Sequence, residues 1–344
     1  MALDELRTAL ESNPNDTRTF QTHLEPILQE GSTDQFDEFL ETVLAAVSDE
    51  TSLTNLMRAA DLKAKSVEGE LREHVSYKVG KVFLDFIGNE DMAEMYFRRL
   101  SPESSYAAEL HDFYVGFYTR KQNWRKLEQH FQTRAELEGV ENADIEAKRR
   151  TARLAKETGN PDRATSYWQA LRKQIPDDEE VQTELIALYK ETDKWHQVAD
   201  ILKARADGLA KDRVDEKVSL YLELVPIYRD KMNMDTKVST AYQAVLKIQP
   251  ENEEAFDALC SHYEGSERWP DLVKLLKARV ETAKDDEQRF GLFKRIAAVM
   301  EGQFSNVTEA IRAYEEMAQI RPEDLEVIRK LKDLYGQRRD WPNY

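Results

Sequence analysis

Apolar positions along this chain recur three and four residues apart, the spacing of one face of a helix. In Thr236 to Pro250, TKVSTAYQAVLKIQP, the residues Val238, Ala241, Tyr242, Val245, Leu246 and Ile248 form such a stripe, and Pro250 stops it. In AFDALCSHYEGSERWPDLVKLLKARVETA, Phe256, Leu259, Cys260 and Tyr263 share one face of a first helix, and Trp269, Leu272, Val273, Leu276 and Val280 belong to a second. Gly265-Ser266 is expected to make the turn between them. Pro270 and Pro342, each directly after a Trp, and Pro161 sit where a first helical turn tolerates a missing N–H. Glu251, Glu253 and Glu254 follow Pro250, where the amino-terminal end of the helix dipole favours acids.

These helix pairs repeat. Tyr118/Trp124, Tyr189/Trp195, Tyr263/Trp269 and Tyr335/Trp341 recur at intervals of 71, 74 and 72 residues. Between them Pro102, Pro176, Pro250 and Pro322 keep spacings of 74, 74 and 72, and Trp168, Tyr242 and Tyr314 stand eight residues before the last three prolines. A beat of about 72 residues marks a stacked array of helical units in place of one closed core. Pairs are expected near 17–47, 71–101, 104–136, 143–175, 178–210, 216–249, 252–284 and 288–321, with a ninth begun at 324. The pairs near Tyr228 and Met300 carry about one extra loop residue. Residues 1–70 keep the style without the register and are expected to form a divergent helical cap continuous with the array, with an extra helix around Leu53 to Lys65. Residues 71–344 form the array, whose last repeat is incomplete, so that further repeats or another chain are expected to cover that end.

With Gly159, Ala164, Trp168 and Pro176 in GNPDRATSYWQALRKQIPDDEE, and Ala310, Tyr314 and Pro322 in NVTEAIRAYEEMAQIRPED, the chain resembles the tetratricopeptide repeat (TPR) superfamily over roughly residues 71 to 344. Most repeats depart from the family pattern at the small eighth position, which only Gly80, Ala152 and Ala297 keep. The resemblance implies an all-α, right-handed superhelical solenoid of stacked antiparallel helix pairs. Tyr118, Trp124, Trp168, Tyr189, Trp195, Tyr242, Tyr263, Trp269, Tyr314, Tyr335 and Trp341 would be its packing keys. It also implies that first helices line a concave face, which places Glu109, Asp112, Glu180, Glu254, Asp257 and Glu264 there as candidate partner-binding residues. The family's carboxylate clamp uses Lys, Asn and Arg at such positions, so this mainly acidic face is expected to favour basic or cationic-amphipathic protein segments instead.

Composition agrees with an interaction protein. The formal charge of -17, from 49 basic and 66 acidic residues, disfavours direct nucleic-acid binding. The single Cys260 excludes an internal disulfide and fits a reducing compartment, and we expect a cytoplasmic protein with no cleaved leader and no membrane insertion. His23, His74, His111, His130, His196 and His262 are scattered without zinc spacing, and no G-x-S-x-G, P-loop or G-x-G-x-x-G motif occurs. No catalytic, cofactor or metal site is therefore expected. Arg134, Arg205 and Arg279, each ten residues after a Trp, are expected to brace repeats through carboxylates or carbonyls, and Arg149, Arg153 and Lys156 to meet acidic neighbours in the array. The expected function is a non-catalytic scaffold or adaptor; the alternatives are a half-a-TPR-type scaffold of an RNA-processing complex, or the regulatory amino-terminal arm of a larger enzyme.

Overall fold

The computed structural model describes residues 2–338, and Trp341 lies outside them. The chain divides into two compact units, residues 1–181 and 182–344. Among the described residues every regular element is helical.

The first unit holds α1 (Ala2–Ser12), α2 (Thr17–Glu30), α3 (Thr33–Ala46), α4 (Glu50–Ala64), α5 (Gly69–Asp85), α6 (Glu90–Phe97), α7 (Ala107–Arg120), α8 (Trp124–Leu137), α9 (Ala143–Glu157), α10 (Pro161–Gln174) and the start of α11 (Glu179–Glu191). Side-chain caps set several starts: Asp16, Ser32, Asp49, Asn89 and Asn123 each accept the N–H three residues on. From α5 to α10 each helix packs on the one before it, as a run of hairpins requires. In the first 70 residues the packing differs, with α1 on α3 and α2 on α4. The helix expected around Leu53 to Lys65 is α4. One apolar core runs from Leu6 through Phe20, Phe39, Leu56 and Phe83 to Leu110.

The second unit continues with α12 (Trp195–Gly208), α13 (Val214–Pro226), α14 (Asp235–Ile248), α15 (Glu253–Gly265), α16 (Trp269–Thr282), α17 (Asp286–Gly302), α18 (Val307–Ile320) and α19 (Leu325–Arg338). After α13, residues Ile227–Lys231 widen into a π-type turn. Here too consecutive helices pair, around cores such as that of Leu259, Tyr263, Leu276, Ile296 and Ile311. The all-α class expected from the sequence is the one found among the described residues, with consecutive helices packed on each other within each unit.

The α7–α8, α11–α12 and α15–α16 hairpins each close on one backbone bond past a left-handed residue. The Tyr118, Tyr189 and Tyr263 carbonyls accept from the N–H groups of Asn123, Lys194 and Arg268, each at 2.8 Å. The residue before each donor, Gln122, Asp193 or Glu267, has a φ of 52° to 54°. This closure satisfies a carbonyl that the helix end would otherwise orphan. The turn expected at Gly265-Ser266 is thus displaced: Gly265 ends α15, and Glu267 takes the left-handed conformation. The extra loop residue expected near Tyr228 and Met300 appears as a six-residue closure, Tyr228 to Met234 and Met300 to Asn306, and Phe83 to Asn89 has it too.

Candidate functional site

The aromatic keys do not share one environment. Tyr118, Trp124, Trp168, Tyr189 and Tyr263 are buried. Trp195, Tyr242, Trp269, Tyr314 and Tyr335 are half-buried, and several carry a polar tip: the Tyr335 hydroxyl donates to Glu315 at 2.6 Å and the Trp195 N–H to Asp193 at 3.0 Å. Of the arginines ten residues past a Trp, Arg279 donates to the Pro250 carbonyl, pairs with Glu253 and lies 5.1 Å over the Phe256 ring. Arg205 reaches Glu216 at 3.5 Å, and Arg134 reaches Glu138, the residue just past its own helix, at 3.5 Å.

The six candidate carboxylates stand on first helices, but cations from neighbouring helices already meet most of them. On α7, Glu109 accepts the Tyr77 hydroxyl at 2.5 Å and has Lys81 at 3.4 Å, while Asp112 is exposed one turn on. On α11, Glu180 is held by both Arg149 and Arg153, and Arg149 also grips Asp178 at 2.6 Å. Burial acts to raise the Asp178 carboxyl, yet its bonds from Arg149 and from the Val181 N–H hold it below the usual range. The expected meeting of Arg149 and Arg153 with acidic neighbours is therefore present, and it uses up Glu180. On α15 the balance is different. Glu254 is exposed, and one cation, Arg295, serves both Glu264 at 2.9 Å and Asp257 at 3.8 Å.

A second feature has no counterpart among the sequence expectations. The helix α6 has 8 residues, whereas α10, α14 and α18 have 14 each. The pair expected over 71–101 thus ends its second helix at Phe97, and the chain crosses Arg98 to Tyr106 without regular structure. That crossing is tied down from α5. The Tyr106 ring stacks on Tyr77 at 3.9 Å, the Tyr106 hydroxyl meets His74 Nδ1 at 2.5 Å, and Glu73 accepts the Ser101 N–H at 2.9 Å. His74 in turn reaches Asp37 on α3 through Nε2 at 2.7 Å.

Where the missing helical turns would have packed, a cleft of about 320 Å³ opens between the crossing, α7 and α8. Phe97, Leu100, Pro102, Ala107 and Leu110 give it apolar walls. Its polar side is supplied by Tyr114, Tyr118, His130, Gln129, Thr133, Ser101 and Ser104, and its charged groups are Arg98, Lys126 and Arg134. Every charged residue of the lining is a cation. Lys126 is engaged by the buried carboxylate of Glu94 at 2.7 Å, which also accepts the Tyr118 hydroxyl at 2.8 Å. Burial first, and then the nearby Glu94 carboxylate, raises the Tyr114 and Tyr118 phenols, so they remain neutral donors. His130 is lowered to about 4 by burial first, then by His111 and Arg134, and stays uncharged near neutrality. The cleft thus combines neutral donors, apolar walls and two guanidinium groups.

The signal for the cleft was present in the sequence. Pro102 follows the cap Asn89 by 13 residues, whereas Pro176, Pro250 and Pro322 follow Asn160, Met234 and Asn306 by 16. Elsewhere, among the described residues, no group of three or more His, Cys, Asp or Glu side chains could hold a metal ion, and no helix is long and apolar enough to cross a membrane.

No family model and no curated protein matches this sequence. Solved structures similar in fold include the C-terminal part of a TPR repeat-containing protein from Cytophaga hutchinsonii, 12% identical, covering 80% of this chain and 99% of that one with a TM-score of 0.29. A tetratricopeptide repeat protein from Parabacteroides merdae is 12% identical over 76% of this chain and 98% of its own, with a TM-score of 0.25. A thermophilic TPR protein from Thermus thermophilus is 12% identical over 55% and 98%, with a TM-score of 0.23. Likenesses at this level say nothing of the site or partners of this chain.

Proposed function

We propose that the chain is a non-catalytic protein-interaction scaffold, and that the α15 face of its second unit is where it takes a basic or cationic-amphipathic protein segment. The observation that carries this reading is a local imbalance of charge. Glu254, Asp257 and Glu264 lie on one helix face, where Arg295 is shared by Asp257 and Glu264, whereas Glu180 of the first unit is neutralised by two arginines. Asp257 has 71% of its side chain exposed and Glu264 has 44%, so a lysine or arginine of a partner can reach both without first paying to strip them from a buried pair. Several such weak contacts along repeated helices would sum through avidity.

The test is the triple reversal Glu254→Lys, Asp257→Lys and Glu264→Lys, probed with a fluorescein-labelled Lys/Leu amphipathic peptide at two salt concentrations. Binding to the wild-type chain should weaken with salt and fall at least tenfold in the variant. Equal affinity of the two proteins for the peptide would remove the α15 face from the proposal.

A further inference from the structure

The cleft of the first unit has the opposite electrostatic character from the α15 face, in a molecule whose formal charge is -17. Its lining contains three cations and no carboxylate. One of the three, Lys126, is taken by Glu94; Arg98 is exposed, and Arg134 is half-buried, its one ion pair among the described residues the longer contact to Glu138. Apolar walls from Phe97, Leu100 and Leu110 face these groups. The Ser104 hydroxyl oxygen, on the crossing segment, is buried and has no hydrogen-bond partner among the described residues. That oxygen is closed to solvent, so the groups a ligand would meet are the guanidinium groups of Arg98 and Arg134 and the apolar walls.

We infer that this cleft is a second interaction site, which takes an acidic-apolar peptide segment: an aliphatic or aromatic side chain seated between the crossing and α7, with a neighbouring Asp or Glu read by Arg98 and Arg134. Charge complementarity selects this occupant. A basic segment would meet Arg98 and Arg134, and a purely apolar ligand would leave their guanidinium groups unused. The volume, about 320 Å³, stands at the small end of ligand pockets, which suits one anchoring side chain with its flanking backbone. The arginine fork suits a carboxylate geometrically as well as in sign. The site is also built in advance, because Tyr106, His74 and Glu73 fix the crossing from below. A ligand therefore does not have to order the loop in order to bind. This inference goes beyond the α15 reading and stands independently of it.

The experiment is a panning of a random nonapeptide display library on the full chain, with counter-selection on a Ser104→Trp variant whose indole fills the cleft. The expected result is a class of peptides with Asp or Glu within two positions of Leu, Ile, Met or Phe. Synthetic copies should lose at least tenfold in affinity on Arg134→Glu and on Ser104→Trp. They should lose less than twofold on Arg125→Glu, an exposed cation of the same helix outside the cleft, and on the triple reversal of the α15 face. Thermal melting of each variant separates lost binding from lost folding, and Arg134→Lys, which keeps the charge, should retain part of the affinity. If no recovered peptide is sensitive to both Arg134→Glu and Ser104→Trp in folded protein, the cleft is not a peptide site and the inference is overturned.

Discussion

His111 Nδ1 and His130 Nε2 stand 2.9 Å apart, so one ring nitrogen donates to the other and the two rings cannot both be charged in that geometry. Burial lowers both imidazoles, and Arg134 opposes a charge on either; His130 falls to about 4. The unfolded chain takes up its proton near the ordinary value of 6.5, well before the folded one does. As pH falls from about 6.5 toward 4, the unfolded state therefore gains protons that the native state refuses, and stability drops. Full burial would make the His130 term about 3 kcal/mol; for a part-buried ring, roughly 1–2 kcal/mol is expected. Urea denaturation at pH 7.5, 6.0 and 4.5 should show the wild-type chain losing that much more than His130→Gln. Parallel losses in the two proteins would refute it.

Gly80 faces Phe97 so closely that a Cβ there would lie 2.4 Å and 2.7 Å from two ring carbons. Phe97 cannot retreat, since it is buried edge-on against Phe113 at 5.0 Å. Gly80→Ala should cost about 1–3 kcal/mol and should shift a wall of the cleft. Gly265 is the contrast, for nothing lies within 4 Å of its added Cβ and its backbone is helical. Gly265→Ala should gain about 0.5–1 kcal/mol by restricting the unfolded chain. Glu267→Gly should also gain about 0.5–1 kcal/mol by relieving a left-handed non-glycine residue. Thermal melts of the three variants check the ordering.

Much of the helical frame was legible because its signals are local. The stripe in TKVSTAYQAVLKIQP and its terminal proline reappear as α14, Asp235–Ile248, stopping just before Pro250. The turn was expected at Gly265-Ser266, but the closing bond from Arg268 to Tyr263 puts the left-handed residue at Glu267, two residues beyond the nearest glycine. The cleft escaped because Pro102 keeps a regular 74-residue spacing to Pro176; three residues missing before that proline are offset by three added after it. The charge of a helix face is less legible still. Glu180 reads as a free acid in sequence, but the arginines that neutralise it lie 27 and 31 residues earlier, at Arg153 and Arg149.

The crossing from Arg98 to Tyr106 depends on a short chain of hydrogen bonds, Tyr106 to His74 to Asp37, with Lys78 also on Asp37 at 2.8 Å. His74 is buried, so removing its carboxylate leaves a ring nitrogen without a partner. Asp37→Ala should cost about 2–3 kcal/mol, and Tyr106→Phe about 1 kcal/mol. Because Tyr106 pins the end of the crossing, both should also speed amide hydrogen exchange over residues 101–106 relative to α8. Uniform exchange changes across the unit would mean that the tether acts only on global stability.

Arg149 and Glu180 offer the sharpest comparison between a carboxylate spent on folding and one left for binding. The Arg149 side chain is 16% exposed and its acidic partners Asp178 and Glu180 are 27% and 34% exposed, so the cluster is partly shielded from water and salt. Glu264 and Arg295 are more open, at 44% and 38%. A double-mutant cycle with Arg149→Ala and Glu180→Ala should therefore return a coupling of about 1–2 kcal/mol, while the cycle of Glu264→Ala with Arg295→Ala should return less than about 0.5 kcal/mol. The two should also part in salt: raising ionic strength to 0.5 M should erase the second coupling and leave most of the first. Equal couplings would mean that burial does not separate the two faces, and the α15 carboxylates would then be structural in the same sense as Glu180.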